Sequence, residues 1–136
     1  RLMGGIRYMG GRTQIERVLK HLKAEAAAGK VNACVYIGDA LEEPIDDLAQ
    51  LAGEIGLLGI PVFMFQEGRD PAAESGFREI ARLTRGAYFR FGSDAARIMG
   101  ELLAAVAVYA AGGFAALENH SAQRGGAASL LLQQMK

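Results

Sequence analysis

Val31-Asn32-Ala33-Cys34-Val35-Tyr36-Ile37-Gly38-Asp39-Ala40-Leu41-Glu42-Glu43 is the stretch around which the rest of the chain is organised. Its apolar run, Ala33 to Ile37, has the length of a strand, stops at Gly38 and is followed at once by the carboxylate of Asp39. An unbroken apolar run of this length suits a strand buried on both faces, as in a parallel sheet covered by helices. Parallel sheets place ligands at the carboxyl ends of their strands, so Asp39 is the first candidate for chemistry.

On the amino-terminal side, Gly10-Gly11-Arg12-Thr13-Gln14-Ile15-Glu16 is a flexible turn leading into Thr-x-x-Glu, the signature of a helix start. Ile15, Val18, Leu19, Leu22 and Ala26 then recur at helical spacing, with Glu16, Arg17, Lys20 and Lys23 between them, and Gly29 ends the helix. Arg1 to Met9 reads as the end of a helix or strand belonging to an earlier element.

On the carboxyl side, Pro44 suits the first turn of a second helix, with Asp46 and Asp47 near its positive end. Ile45, Leu48, Ala49, Ala52 and Ile55 form its apolar stripe and Gly59 closes it. Pro61 opens a strand, Val62 to Phe65, and Gln66 to Pro71 is a polar loop. A third helix turns Phe77, Ile80, Ala81 and Thr84 inward and Glu74, Arg78, Arg82 and Arg85 outward. Gly86 ends it as a left-handed cap requires. Ala87 to Phe91 is the third strand; Ser93 caps a long helix, Asp94 to Ala111. After Gly112-Gly113 come two more helical pieces, Phe114 to about Ser121 and Ala127 to Met135. Strands alternating with helices predict right-handed crossovers and a parallel sheet.

The chain has 136 residues, 51% of them hydrophobic, which is enough for one domain with a buried core. Fifteen basic residues balance fifteen acidic ones, so no global field draws in nucleic acid or an anionic membrane. The single Cys34 lies inside the apolar run, which excludes an internal disulfide and suits a reducing, cytoplasmic compartment. No signal peptide is visible, and the sequence begins at Arg1 rather than Met, as a processed chain or part of a longer protein would. Leu102 to Leu117 contains two glycines and falls short of the roughly 20 residues that span a bilayer. It reads as a buried or partner-facing helix.

Thr13 at a helix start and Asp39 at a strand end are both oxygen donors, the ligands that a hard divalent cation such as Mg2+ takes. Here the chain resembles the von Willebrand factor type A domains, above all the short stand-alone bacterial members. The likeness rests on G-G-R-T-Q-I-E at Gly10 to Glu16 and V-Y-I-G-D-A at Val35 to Ala40. It extends through G-I-P-V-F-M-F-Q-E-G at Gly59 to Gly68 and T-R-G-A-Y-F-R-F ending at Phe91, covering about Gly4 to Ala111.

The resemblance implies a doubly wound α/β domain, of which residues 1–111 would be the carboxyl-terminal portion with three strands, followed by a helical extension at 112–136. It also implies a metal-ion-dependent adhesion site in which Thr13 and Asp39 supply the loop hydroxyl and the late strand-end carboxylate. A partner protein's carboxylate would complete the cation's shell. The family's Asp-x-Ser-x-Ser does not occur in this sequence, so these residues by themselves are expected to bind little or no Mg2+.

In that fold the strand carrying Asp-x-Ser-x-Ser lies beside the Asp39 strand. Its absence would leave Ala33 to Ile37 as an open edge, to be covered by the missing segment, by a second copy or by a displaced piece of this chain. Thr13 is also accounted for as a plain helix cap. Gln66, Glu67 and Arg69 lie at the same sheet edge as Asp39, as a partner surface or an ordinary polar loop. No nucleophile and base pair, cofactor fingerprint or phosphate loop is visible, so the chain is read as a binding module and not an enzyme. Two alternatives remain: an enzyme or phosphoacceptor using Asp39, and a metal-free assembly module contacting its partner through Leu102 to Val108 and Leu130 to Leu132.

Overall fold

The computed structural model describes residues 6–10, 15–28, 31–39, 41, 45–91, 96–124 and 126–135. In chain order the elements are β1 (Ile6–Gly10), α1 (Ile15–Ala28), β2 (Ala33–Gly38), α2 (Ile45–Leu57), β3 (Val62–Glu67), α3 (Pro71–Thr84), β4 (Ala87–Phe91), α4 (Ala96–Arg124) and α5 (Ala127–Met135). The strands form one parallel sheet in the order β1-β2-β3-β4. The α/β architecture with a parallel sheet and flanking helices is thus present, but the sheet has four strands where the sequence predicts three.

The additional strand comes from the stretch read as the tail of an earlier element. Ile6–Gly10 lies along β2 with Ile6 opposite Ala33 and Gly10 opposite Ile37. A buried strand with an open edge leaves its N–H and C=O groups without partners, and pairing with β1 satisfies them. Of the three covers expected for that edge, a piece of this same chain provides it.

Side chains alternate across the sheet and build two cores. On one face Cys34, Tyr36, Val62, Met64 and Tyr88 meet α1, α2 and α3 through Leu19, Leu22, Leu48, Ile55, Phe77 and Ile80. Successive crossovers of one hand in a sheet that never reverses its strand order put all three connecting helices on that side. Tyr36 meets Phe77 edge to face at 5.7 Å. On the other face Ala33, Val35, Phe63, Phe65 and Ala87 meet α4 and α5 through Leu102, Val106, Leu117 and Leu131. Much of Leu102–Val108 and Leu130–Leu132 is therefore occupied inside the chain, while Leu130 stays 48% exposed.

The expected stripe of α3 is buried, as are those of α1 at Ile15, Val18, Leu19 and Leu22 and of α2 at Leu48, Ala52 and Ile55; Ala26 and Ala49 are half-buried, and Ile45, at the amino end of α2, is 37% exposed. Pro71 is the first residue of α3 and not the end of a loop. Asp70 caps the helix, its Oδ1 accepting from the Ala72 N–H at 3.0 Å. The left-handed residue at the end of α3 is Arg85, with φ 60° and ψ 32°, not Gly86. The expected breaks at Pro44, Gly29 and Ser93 fall outside the described residues.

Thr84 ties α3 to β3. Its hydroxyl donates to the Ile80 carbonyl at 2.9 Å and accepts from the Val62 N–H at 3.0 Å, in a site where Thr84 is 3% exposed. Thr84→Val keeps the shape but strands that buried N–H, an expected loss of about 1–3 kcal/mol. Urea unfolding followed by circular dichroism measures it.

The expected break at Gly112-Gly113 is a kink within α4, at Gly113 with φ 76° and ψ −165°, values open to glycine. Asn32 Nδ2 donates to the Ala110 carbonyl just before the kink at 2.9 Å. Met99–Gln123 of this helix, 25 residues with mean hydropathy 1.6, is long and apolar enough to cross a membrane by length and composition, unlike the shorter Leu102 to Leu117 run. In this fold one side of it lies on the sheet.

Candidate functional site at the carboxyl edge of the sheet

The carboxyl ends of the strands converge on one edge because the sheet is parallel throughout. Gly38 of β2 is in register with Gln66 of β3, and Gln66 with Arg90 of β4. Asp39, the residue after Gly38, is exposed directly beyond β2, and Glu67, the residue after Gln66, is exposed on β3. Beyond Asp39 the chain is pinned again at Leu41, which packs on the α1–α3 core. The Leu41 side chain occupies the space where a Cβ on Gly76 of α3 would stand.

Thr13 lies outside the described residues, as do Glu42 and Glu43. The residues on either side of its connection, Gly10 and Ile15, end β1 and begin α1. Gly10 is opposite Ile37, two residues before Asp39.

Gln66, expected on the surface, is fully buried. Its Nε2 donates to the Asp70 carbonyl at 3.0 Å, and its Oε1 accepts from the Tyr88 hydroxyl. A buried amide costs free energy unless it is hydrogen-bonded, and here both ends are used. The sequence did carry a signal for this, a glutamine closing the apolar run Val62 to Phe65 with no break before it.

Over the Tyr88 ring lies the Arg78 guanidinium, 4.5 Å from its centre. Glu74 accepts from Arg78 Nε at 3.0 Å and also pairs with Arg90. Arg90 is held more firmly protonated than an ordinary arginine, chiefly by its hydrogen bond with Tyr88 and in part by Glu74. Arg82 likewise pairs with Glu79, whose carboxyl is held below its ordinary range by that hydrogen bond. The arginine row of α3 is thus matched by carboxylates over much of its length, leaving Asp39 and Glu67 as the acidic groups facing outward at β2 and β3.

Chemically this edge offers hard oxygen donors. Among the described residues no group of three or more His, Cys, Asp or Glu side chains is gathered closely enough to hold a metal ion. Asp39 stands at this edge as a single exposed carboxylate. His21 pairs with Glu25 on α1 at 3.2 Å, and His120 lies far along α4, so neither joins this edge. At the strand ends where a phosphoacceptor site would want a hydroxyl and then a lysine stand Gln66 and Phe91. Comparison of the chain with protein-family models, curated proteins and solved structures found no match.

Proposed function

We propose that this chain is the carboxyl-terminal portion of a doubly wound domain of the von Willebrand factor type A kind, and that it serves as a protein-binding module whose recognition depends on a divalent cation. The observation that carries this is the position of Asp39, exposed directly beyond the carboxyl end of a buried central strand. It stands beside the strand from which the chain leads, through Thr13, into α1. In a parallel sheet this is where ligands bind.

Asp39 and the Thr13 hydroxyl would contribute oxygen ligands, and a carboxylate of the partner would fill an open position. Bound there, a cation would neutralise two acidic groups that otherwise repel each other across the interface. The remaining ligands would come from an Asp-x-Ser-x-Ser segment that this sequence lacks, on a strand that would have to take the place β1 holds beside β2.

Calorimetric titration with Mg2+ tests the reading. The 136 residues by themselves are expected to give no stoichiometric binding. A chain extended through the gene's full reading frame is expected to bind one equivalent and to lose it on Asp39→Ala. Equal binding by the extended chain with and without Asp39 would overturn the assignment.

A further inference from the structure

We propose that the cavity at the amino end of the sheet is a binding site for a small uncharged molecule that carries an amide or hydroxyl group on an apolar body. The cavity measures about 540 Å³ and lies between the chain entering β2, the turn from α2 to β3 and the last regular turn of α4 before its kink. Ala26, Val31, Leu58 and Ile60 give it apolar side chains, Asn32 and Tyr109 give it polar ones, and Gly59 and Gly113 expose backbone to it. Sites for small molecules occupy roughly 300–1,000 Å³ and combine an apolar lining with a few polar groups. Asn32 precedes β2 and Asp39 follows it, so the cavity and the metal-site edge lie at opposite ends of the strands and the inference is independent of that reading.

Contacts of the fold itself hold the walls in place. On one side α2 ends at the left-handed Gly59, φ 79°. The Gly59 N–H bonds to the Gly56 carbonyl at 3.0 Å and the Ile60 N–H to the Ile55 carbonyl at 3.4 Å, which fixes the turn that carries Leu58. On the α4 side Asn32 Nδ2 holds the Ala110 carbonyl, and the Tyr109 ring meets Phe63 at 6.3 Å and Phe114 at 6.0 Å, both edge to face. The space between these walls is open: a Cβ on Gly59 or on Gly113 would meet no atom within 4 Å.

The lining selects the chemistry of the ligand. None of the lining residues carries a charge, so an ion entering the cavity would leave water without a counter-charge to meet it. Asn32 uses one amide hydrogen on Ala110, while its Oδ1 and the Tyr109 hydroxyl have no hydrogen-bond partner among the described residues. Burial pushes the Tyr109 hydroxyl up from its ordinary range, which keeps it a neutral donor. An amide or hydroxyl both gives and takes hydrogen bonds, and so answers an acceptor and a donor together. Leu58 and Phe114, the residue after Gly113, stand 55% and 41% exposed although large and apolar, as rim residues that a ligand covers do.

Benzamide and benzoate, one neutral and one anionic on the same frame, test the proposal by heteronuclear NMR titration of the unaltered chain. Benzamide is expected to shift the Asn32 side-chain amide and the Gly59 and Gly113 backbone amides with a dissociation constant on the order of 1–10 mM, as a molecule of its size allows, and benzoate to bind at least about tenfold more weakly. Ala111→Leu enlarges an exposed helical position that lines the cavity, and is expected to abolish the shifts while the circular dichroism spectrum stays native. Tyr109→Phe keeps the ring and is expected to weaken benzamide roughly 2–10-fold. Benzamide that leaves these amides unmoved at tens of millimolar, or binds no better than benzoate, would overturn the proposal. So would undiminished binding by a natively folded Ala111→Leu chain or by Tyr109→Phe.

Discussion

Gly86→Ala is expected to destabilise the fold by about 3 kcal/mol and to lower the thermal midpoint by about 10 °C. A Cβ at Gly86 would stand 2.0 Å from the Val62 carbonyl oxygen, 2.7 Å from its carbon and 2.9 Å from the Val62 nitrogen. All three atoms are backbone, so no rotamer change relieves the contact. The same Val62 N–H is the one that Thr84 accepts, and the next residue, Ala87, begins the β3–β4 ladder opposite Phe63. Moving the chain away from Val62 therefore disturbs the helix anchor and the strand start together. Gly53→Ala is the control: that position, inside α2, has open space around its Cβ, and the substitution is expected to stabilise by about 0.5–1 kcal/mol. Thermal unfolding of both variants beside the unaltered chain supplies the comparison, and a Gly86→Ala chain as stable as its parent would show that β3 and β4 do not approach this closely.

The same place shows where sequence logic stops. Thr84-Arg85-Gly86 reads as a helix ended by a left-handed glycine, and the local rule is sound. In three dimensions the glycine is needed one residue later, for close passage past β3, so the left-handed turn falls on Arg85. Its N–H bonds to the Arg82 carbonyl at 3.2 Å, and that of Gly86 to the Ala81 carbonyl at 2.8 Å, which close the helix end and offset the cost of that conformation in a residue with a Cβ. A tertiary contact took the glycine that local propensity had assigned to the cap.

Elements with a long apolar period were legible: α1 through Val18, Leu19 and Leu22, and α3 through Phe77, Ile80 and Ala81. The buried strands β2 and β3 were legible because Ala33–Ile37 and Val62–Phe65 have no polar interruption. β1 was not, because Ile-Arg-Tyr-Met-Gly, though bounded by the glycine pairs Gly4-Gly5 and Gly10-Gly11, has no apolar run, and its pairing is decided by the open edge of β2. Nor was Gln134 legible as the side chain whose Oε1 accepts from the Tyr88 N–H, since no local pattern links it to Tyr88, 46 residues away. At the candidate site, the order of strand, glycine and carboxylate points to the position Asp39 has, exposed at the carboxyl edge of the sheet. Neighbouring Gln66 reads as surface because a loop of polar residues follows it. Its burial depends on Tyr88 and the Asp70 carbonyl, which only the folded chain brings to it.

The second large effect concerns Asp39, an exposed side chain whose truncation buries nothing and opens no cavity. Asp39→Ala should leave unfolding unchanged within about 0.5 kcal/mol, as surface substitutions do. Any loss of partner binding would then come from the site and not from the fold. A cation that bridges Asp39 and a partner's carboxylate leaves that carboxylate unpaired when either ligand goes, and truncating one member of a buried charge pair costs about 2–5 kcal/mol. That is at least a thirtyfold weakening. The decisive measurement is capture of protein partners by the extended chain in Mg2+, in EDTA, and in Mg2+ with Asp39→Ala. Capture in Mg2+ that disappears in both of the other conditions is the expected result; capture that persists in EDTA and with Asp39→Ala would contradict a metal-dependent recognition edge.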